Sequence, residues 1–112
     1  MTFLDDYIKA IWRKPSPHRV LSKQQTRQDE TADGIRTQNV QTVYDFADGT
    51  RLLYLLEEEH DLDSDLPAES CQSSRVLYEI ISDNHTTISP NRRVFASNCT
   101  HLFYLRRLLQ DA

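Results

Sequence analysis

Val40-Gln41-Thr42-Val43-Tyr44-Asp45-Phe46-Ala47-Asp48-Gly49-Thr50-Arg51-Leu52-Leu53-Tyr54-Leu55-Leu56 holds two runs of strand-forming residues around one turn dipeptide. Val40, Thr42, Tyr44 and Phe46 alternate with more polar positions, which places them on one face of a strand. Asp48-Gly49 is the strongest short-range hairpin signal in the chain, because Asp and Gly tolerate the backbone angles that a tight reversal needs. The return run is apolar at every position after Arg51, which predicts a strand covered on both faces or one whose far face meets a helix. Downstream, Arg75-Val76-Leu77-Tyr78-Glu79-Ile80-Ile81 is rich in β-branched and aromatic residues and predicts a third strand. Asp83-Asn84-His85 then turns the chain. A short fourth strand falls around residues 86–89 or around 93–96, on either side of Pro90, which confines it to an edge or a strand end.

Outward from this core, Phe3, Leu4, Tyr7, Ile8, Ile11 and Trp12 recur at helical spacing and predict an amphipathic helix over residues 3–13. Thr2 and Asp5 stand at capping-box spacing, and Pro15 and Pro17 forbid continuation. At the other end, Leu102, Leu105 and Leu109 follow a cap at Ser97 or Asn98, and Arg106-Arg107 complement the negative end of the helix dipole. Residues 18–39 hold only Val20, Leu21, Ala32 and Ile35 as larger apolar anchors, and they are left open between a mobile loop and a short polar helix capped by Ser22 and ending before Gly34. The order predicts an α+β architecture: an antiparallel sheet of three or four strands with an N-terminal and a C-terminal helix packed on it, in one domain spanning residues 1–112.

The 112 residues amount to 13.1 kDa and suit one core. Size scaling gives roughly 6,400 Å² exposed when folded against about 19,000 Å² for the extended chain. No run approaches the ~20 apolar residues that cross a bilayer, which predicts no membrane association. Acids at Asp5 and Asp6 replace the basic and apolar regions of a signal peptide, so the expected address is cytoplasmic. Cys71 and Cys99 are too few for a disulfide framework and are read as small buried or half-buried thiols.

The net charge of −4 hides a partition. Residues 1–36 carry seven Lys/Arg against five Asp/Glu, residues 37–83 two against eleven, and residues 84–112 four against one. The acidic focus is Glu57-Glu58-Glu59-His60-Asp61-Leu62-Asp63-Ser64-Asp65, within a polar excursion over 57–73. Such a segment repels nucleic acid and attracts a basic partner.

No phosphate-cradling loop, nucleophile elbow or zincin motif is present. Cys99 and His101 lack a second pair at zinc spacing, and Asp61, Asp63 and Asp65 run into Leu66-Pro67 where a calcium loop needs Gly. No metal and no cofactor are therefore expected. His60 beside Glu59 and Asp61 supplies acid/base groups without any means of converging them. His85 and His101 with Arg92 and Arg93 form a better constellation, since two imidazoles and two guanidiniums suit phosphodiester cleavage or phosphate handling. The plainer reading makes His85 a turn residue, His101 a helical residue and the arginines a solvated pair. Tyr7, Trp12, Tyr44, Tyr54 and Tyr78, and likewise Phe95, Phe103 and Tyr104, are read as core, with one or two rings left over as contact anchors.

In size, acidity and α+β order the chain resembles the small immunity proteins of bacterial toxin–immunity systems, including those of contact-dependent growth inhibition. The resemblance implies a non-catalytic protein-binding inhibitor acting in the cytoplasm, as a monomer or weak dimer, on a basic, nuclease-like toxin domain. Glu57, Glu58, Glu59, Asp61, Asp63 and Asp65 would then stand in for substrate phosphates. A phage-type nucleic-acid mimic that blocks a defence complex would share this surface chemistry. A small RNA-processing or phosphate-handling enzyme, and a subunit of a larger assembly associating through the Tyr7 and Trp12 helix stripe or an uncovered sheet edge, remain as alternatives.

Overall fold

A computed structural model describes residues 2–61, 74–83 and 87–110, with only the backbone of His60 and Asp61 considered. In chain order the elements are β1 (Thr2–Phe3), α1 (Leu4–Ile11), β2 (Val20–Ala32), β3 (Ile35–Phe46), β4 (Arg51–Asp61), β5 (Ser74–Ser82), β6 (Ile88–Ser89), β7 (Arg92–Phe95) and α2 (Asn98–Leu108). Five strands form an antiparallel sheet in the order β2-β3-β4-β5-β7, and β1 pairs in parallel with β6 beside it. The fold is α+β, with five strands in the main sheet where three or four were expected.

The additional strand is β2. Residues 20–32 are neither loop nor helix: they form a 13-residue strand joined to β3 by the two-residue turn Asp33-Gly34. Both turn residues have positive φ, 53° and 76°, as a type I′ turn requires. β2 escapes the usual apolar alternation because every residue after Val20 is exposed. Both short segments flanking Pro90 are strands, β6 before it and β7 after it.

The main core cluster lies on one face of the sheet, while Leu55 and Leu77, opposite each other on β4 and β5, are buried on the other. Register places Phe46, Leu52, Val76, Tyr78 and Phe95 on the first face, and Leu4, Tyr7 and Ile8 of α1 with Leu105 of α2 pack against them. Thr2 does not cap α1. It enters β1, where its N–H donates to the Thr87 carbonyl at 3.2 Å, and Phe3 occupies the N-cap without a side-chain bond. The helix closes in a Schellman arrangement, with Arg13 at φ 61°, Arg13 N–H donating to the Ala10 carbonyl and Lys14 N–H to the Lys9 carbonyl. On α2 the Ser97 hydroxyl accepts the Thr100 N–H, as expected of a cap. The buried stripe of that helix is His101 and Leu105, so Leu102 points outward at 47% exposure and Phe103, read as core, at 61%.

These packed layers cover only part of the sheet. Core residues end at Leu56 on β4 and at Tyr44 on β3, counting from the helix-backed end. Beyond them β2, β3 and β4 continue without a covering helix among the described residues, and the molecule reaches 47 Å along its longest axis. The accessible surface, 7686 Å², accordingly exceeds the roughly 6,400 Å² expected for this mass.

Candidate functional site

The described part of the acidic run lies on the part of the sheet that no helix covers among the described residues. Glu57, Glu58, Glu59 and Asp61 belong to β4, where a polar excursion was expected, and Asp63 and Asp65 lie outside the described residues. Strand geometry then divides the run, because successive side chains leave opposite faces. Glu57 and Glu59 emerge on the face away from the helices, whereas Glu58 lies on the helix side, opposite Gln38 and Ser74 in register.

On the outer face the acids have defined neighbours. Asn39 Nδ2 donates to Glu57 Oε1 at 3.3 Å, and Arg75 stands opposite Glu57 across β5. Glu59 is exposed and faces Thr37, whose other neighbour is Glu30 of β2. Glu30 is a member of the site that charge counting along the chain missed, since it sits 27 residues upstream of Glu57 and arrives only through the hairpin register. Ile35, at the turn beside Asp61 in register, is exposed and supplies an apolar contact point. A depression of about 160 Å³ lies among Thr37, Glu57, Glu59, Ser74 and Arg75. That is below the roughly 300 Å³ at which small-molecule sites begin, and it suits one side chain of a partner.

The three described members of the alternative constellation, His101, Arg92 and Arg93, take structural roles. His101 is 1% exposed, and its Nε2 accepts the Tyr78 hydroxyl at 2.6 Å while Nδ1 meets Asn98 Oδ1 at 3.3 Å. Trp12 Nε1 donates in turn to the Tyr78 oxygen at 3.2 Å, completing a polar chain through the core. Burial pushes the His101 imidazole down to about 4, so it stays neutral at pH 7. Arg92 pairs with Glu79 at 3.5 Å, and Arg93 pairs with Asp5 at 3.5 Å while lying 5.0 Å over the Tyr104 ring. Tyr104 also donates its hydroxyl to Asp5. His85 lies outside the described residues.

A further polar group forms around His18, which no motif in the sequence marks. Tyr7 of α1 donates its hydroxyl to Asp48 Oδ2 at 2.6 Å, Thr50 N–H donates to Asp48 Oδ1 at 2.9 Å, and His18 stacks on Tyr7 at 3.7 Å. The His18 Nε2 atom is buried, which makes this a clamp between α1 and the β3–β4 turn. Cys99 is exposed and disulfide-bonded, correcting its reading as a buried or half-buried thiol, and the one other cysteine, Cys71, lies outside the described residues.

Among the described residues no three His, Cys, Asp or Glu converge as a metal site, and no helix is long and apolar enough to cross a membrane. Comparison with known proteins finds no matching family model, no matching curated protein and no matching solved structure.

Proposed function

We propose that the chain is a non-catalytic protein-binding inhibitor whose partner is a basic protein, of the kind presented by a nuclease-like toxin domain. The observation that carries this reading is the outer-face group of Glu30, Glu57 and Glu59 beside the exposed Ile35, on sheet that no helix covers among the described residues. Residues two apart on a strand are roughly 6.6 Å apart and neighbouring strands roughly 4.8 Å apart, so the group forms an anionic lattice spaced by the sheet. Carboxylates so placed steer a cationic cleft towards the surface, and Ile35 offers desolvated contact once it arrives. Glu58 faces the other way and contributes only to the general field. Cytoplasmic action remains part of the proposal. Because disulfides persist in oxidising compartments, it requires the reduced chain to keep the same acidic surface.

The test begins with capture of partners from the native extract at low and high salt, identifying both protein and nucleic acid. Association rates with the captured basic protein are then measured for Glu57→Gln with Glu59→Gln, and separately for Glu58→Gln. The outer pair should slow association about tenfold at low salt and flatten its salt dependence, while Glu58→Gln changes the rate less than twofold. Unchanged rates for the outer pair would sink the reading. Capture of RNA in place of protein would favour the phosphate-handling alternative.

A further inference from the structure

The two edges of the main sheet are built differently. β7 is four residues long, follows Pro90 and lies beside α2. β2 is 13 residues long, contains no proline, and presents its outer edge to solvent with no strand beyond it among the described residues. Strands of this length are uncommon at an edge, because a row of unpaired N–H and C=O groups is a template for another strand.

The hairpin geometry says which groups are offered. In a two-residue hairpin loop the flanking pair, here Ala32 and Ile35, is hydrogen-bonded, and bonded pairs recur at every second residue. The register is unbroken from Ala32 back to Ser22, so the even-numbered residues of β2 bond to β3. The N–H and C=O groups of Lys23, Gln25, Arg27, Asp29 and Thr31 therefore point outward.

We propose that a second copy of this chain docks on the β2 edge, antiparallel and about a two-fold axis through Thr26, joining two five-stranded sheets into one. The choice of partner rests on charge. Full overlap of Val20–Ala32 with its own copy centres on Thr26 and sets Lys23 opposite Asp29 of the other copy, twice by symmetry, and Gln25 opposite Arg27. All four are outward-bonding residues on one face of the sheet, so charge pairing and hydrogen-bond register coincide. About eight backbone bonds form between Lys23 and Asp29 in this arrangement. Centring on Gln25 would set Lys23 against Arg27, and centring on Arg27 would set two arginines face to face. Centring on Gln28 pairs Arg27 with Asp29 but leaves residues 20–23 unpaired. Asp29 already accepts Arg27 at 3.4 Å and Arg36 at 3.6 Å, so an incoming lysine completes a network. Glu30 belongs to the same strand but projects onto the outer face, whereas docking uses the edge backbone and the side chains of the odd-numbered residues on the other face, so the proposal does not depend on the role of the outer-face acids.

Sedimentation equilibrium from roughly 1 to 100 µM should show mass rising from 13.1 kDa towards twice that value. Gln25→Pro removes an outward N–H and leaves the β3 ladder its bonds; it should leave the chain monomeric with unchanged circular dichroism. Lys23→Glu should weaken the dimer about tenfold, and adding Asp29→Lys should restore it to within about threefold. Should Gln25→Pro not fold, the charge exchange decides alone. A monomer at every concentration, or a dimer indifferent to the charge exchange, overturns the proposal. Gln25 and Arg27 amides protected from exchange only when a basic partner is added would assign the edge to that partner and overturn it equally.

Discussion

β3 runs between two Asp-Gly turns, and the protein treats them differently. At one end Asp48 is held by the Tyr7 hydroxyl and the Thr50 amide, under His18 and against the first helix. At the other end Asp33 and Gly34 form a turn whose flanking residues Ala32 and Ile35 are both exposed. The same dipeptide closes a hairpin in both places, yet among the described residues only the Asp48-Gly49 turn is fastened by tertiary contacts. The difference extends through the sheet: its helix-backed half holds the packed core, and its other half, bare among the described residues, leaves backbone edge and charge exposed. The largest expected contrast follows directly. Leu52→Ala, in the core, should cost about 2–5 kcal/mol of unfolding free energy, whereas Thr26→Ala on β2 should stay within about 0.5 kcal/mol. Urea titrations of the two variants measure both values, and comparable losses would mean that the bare half is not energetically separate.

The helix-backed half also carries a pH dependence through His101. His101 has its proton affinity lowered by burial from 6.5 to about 4, so the unfolded chain binds a proton that the folded chain refuses across that window. The sign follows from linkage: the contribution is intact above pH 6.5 and is lost progressively as pH falls towards 4, by roughly 3 kcal/mol in total. His101→Gln keeps an acceptor for the Tyr78 hydroxyl without the titration. Folding free energies at pH 7, 5.5 and 4 should therefore fall more steeply in the wild type than in the variant. Equal slopes would remove His101 from its place as a neutral core group.

Legibility from sequence divides along the same line. Both helices announce themselves because burial on one side imposes a period, and β4 and β5 because their apolar runs are buried on both sides, Leu52 and Tyr78 on one face and Leu55 and Leu77 on the other. β2 has no buried face beyond Val20, so the period that marks a strand has no reason to exist there. Its one local signal was Asp33-Gly34, the same dipeptide that revealed the other hairpin. The acidic run was visible as composition, but treating it as a single surface overlooked the period of two that sends Glu58 away from Glu57 and Glu59. Glu30 was invisible to any count along the chain. His101 was hidden by its polarity, although its spacing of four from Leu105 places both on one helical face.

The finest test of the division compares the two glycines. Gly34 and Gly49 have φ of 76° and 91°, where a Cβ costs about 1 kcal/mol. Gly49→Ala strains a turn that Tyr7 and Thr50 hold in place, so the penalty cannot be relieved locally and should appear in full in the global unfolding midpoint. Gly34→Ala strains a turn attached to little else. The ribbon can fray at that end while the core stays closed, and the cost should surface as faster amide exchange between Glu30 and Thr37, with a smaller movement of the midpoint than Gly49→Ala produces. Equal shifts in the two midpoints would join the hairpin tip to the cooperative unit and dissolve the distinction between the halves.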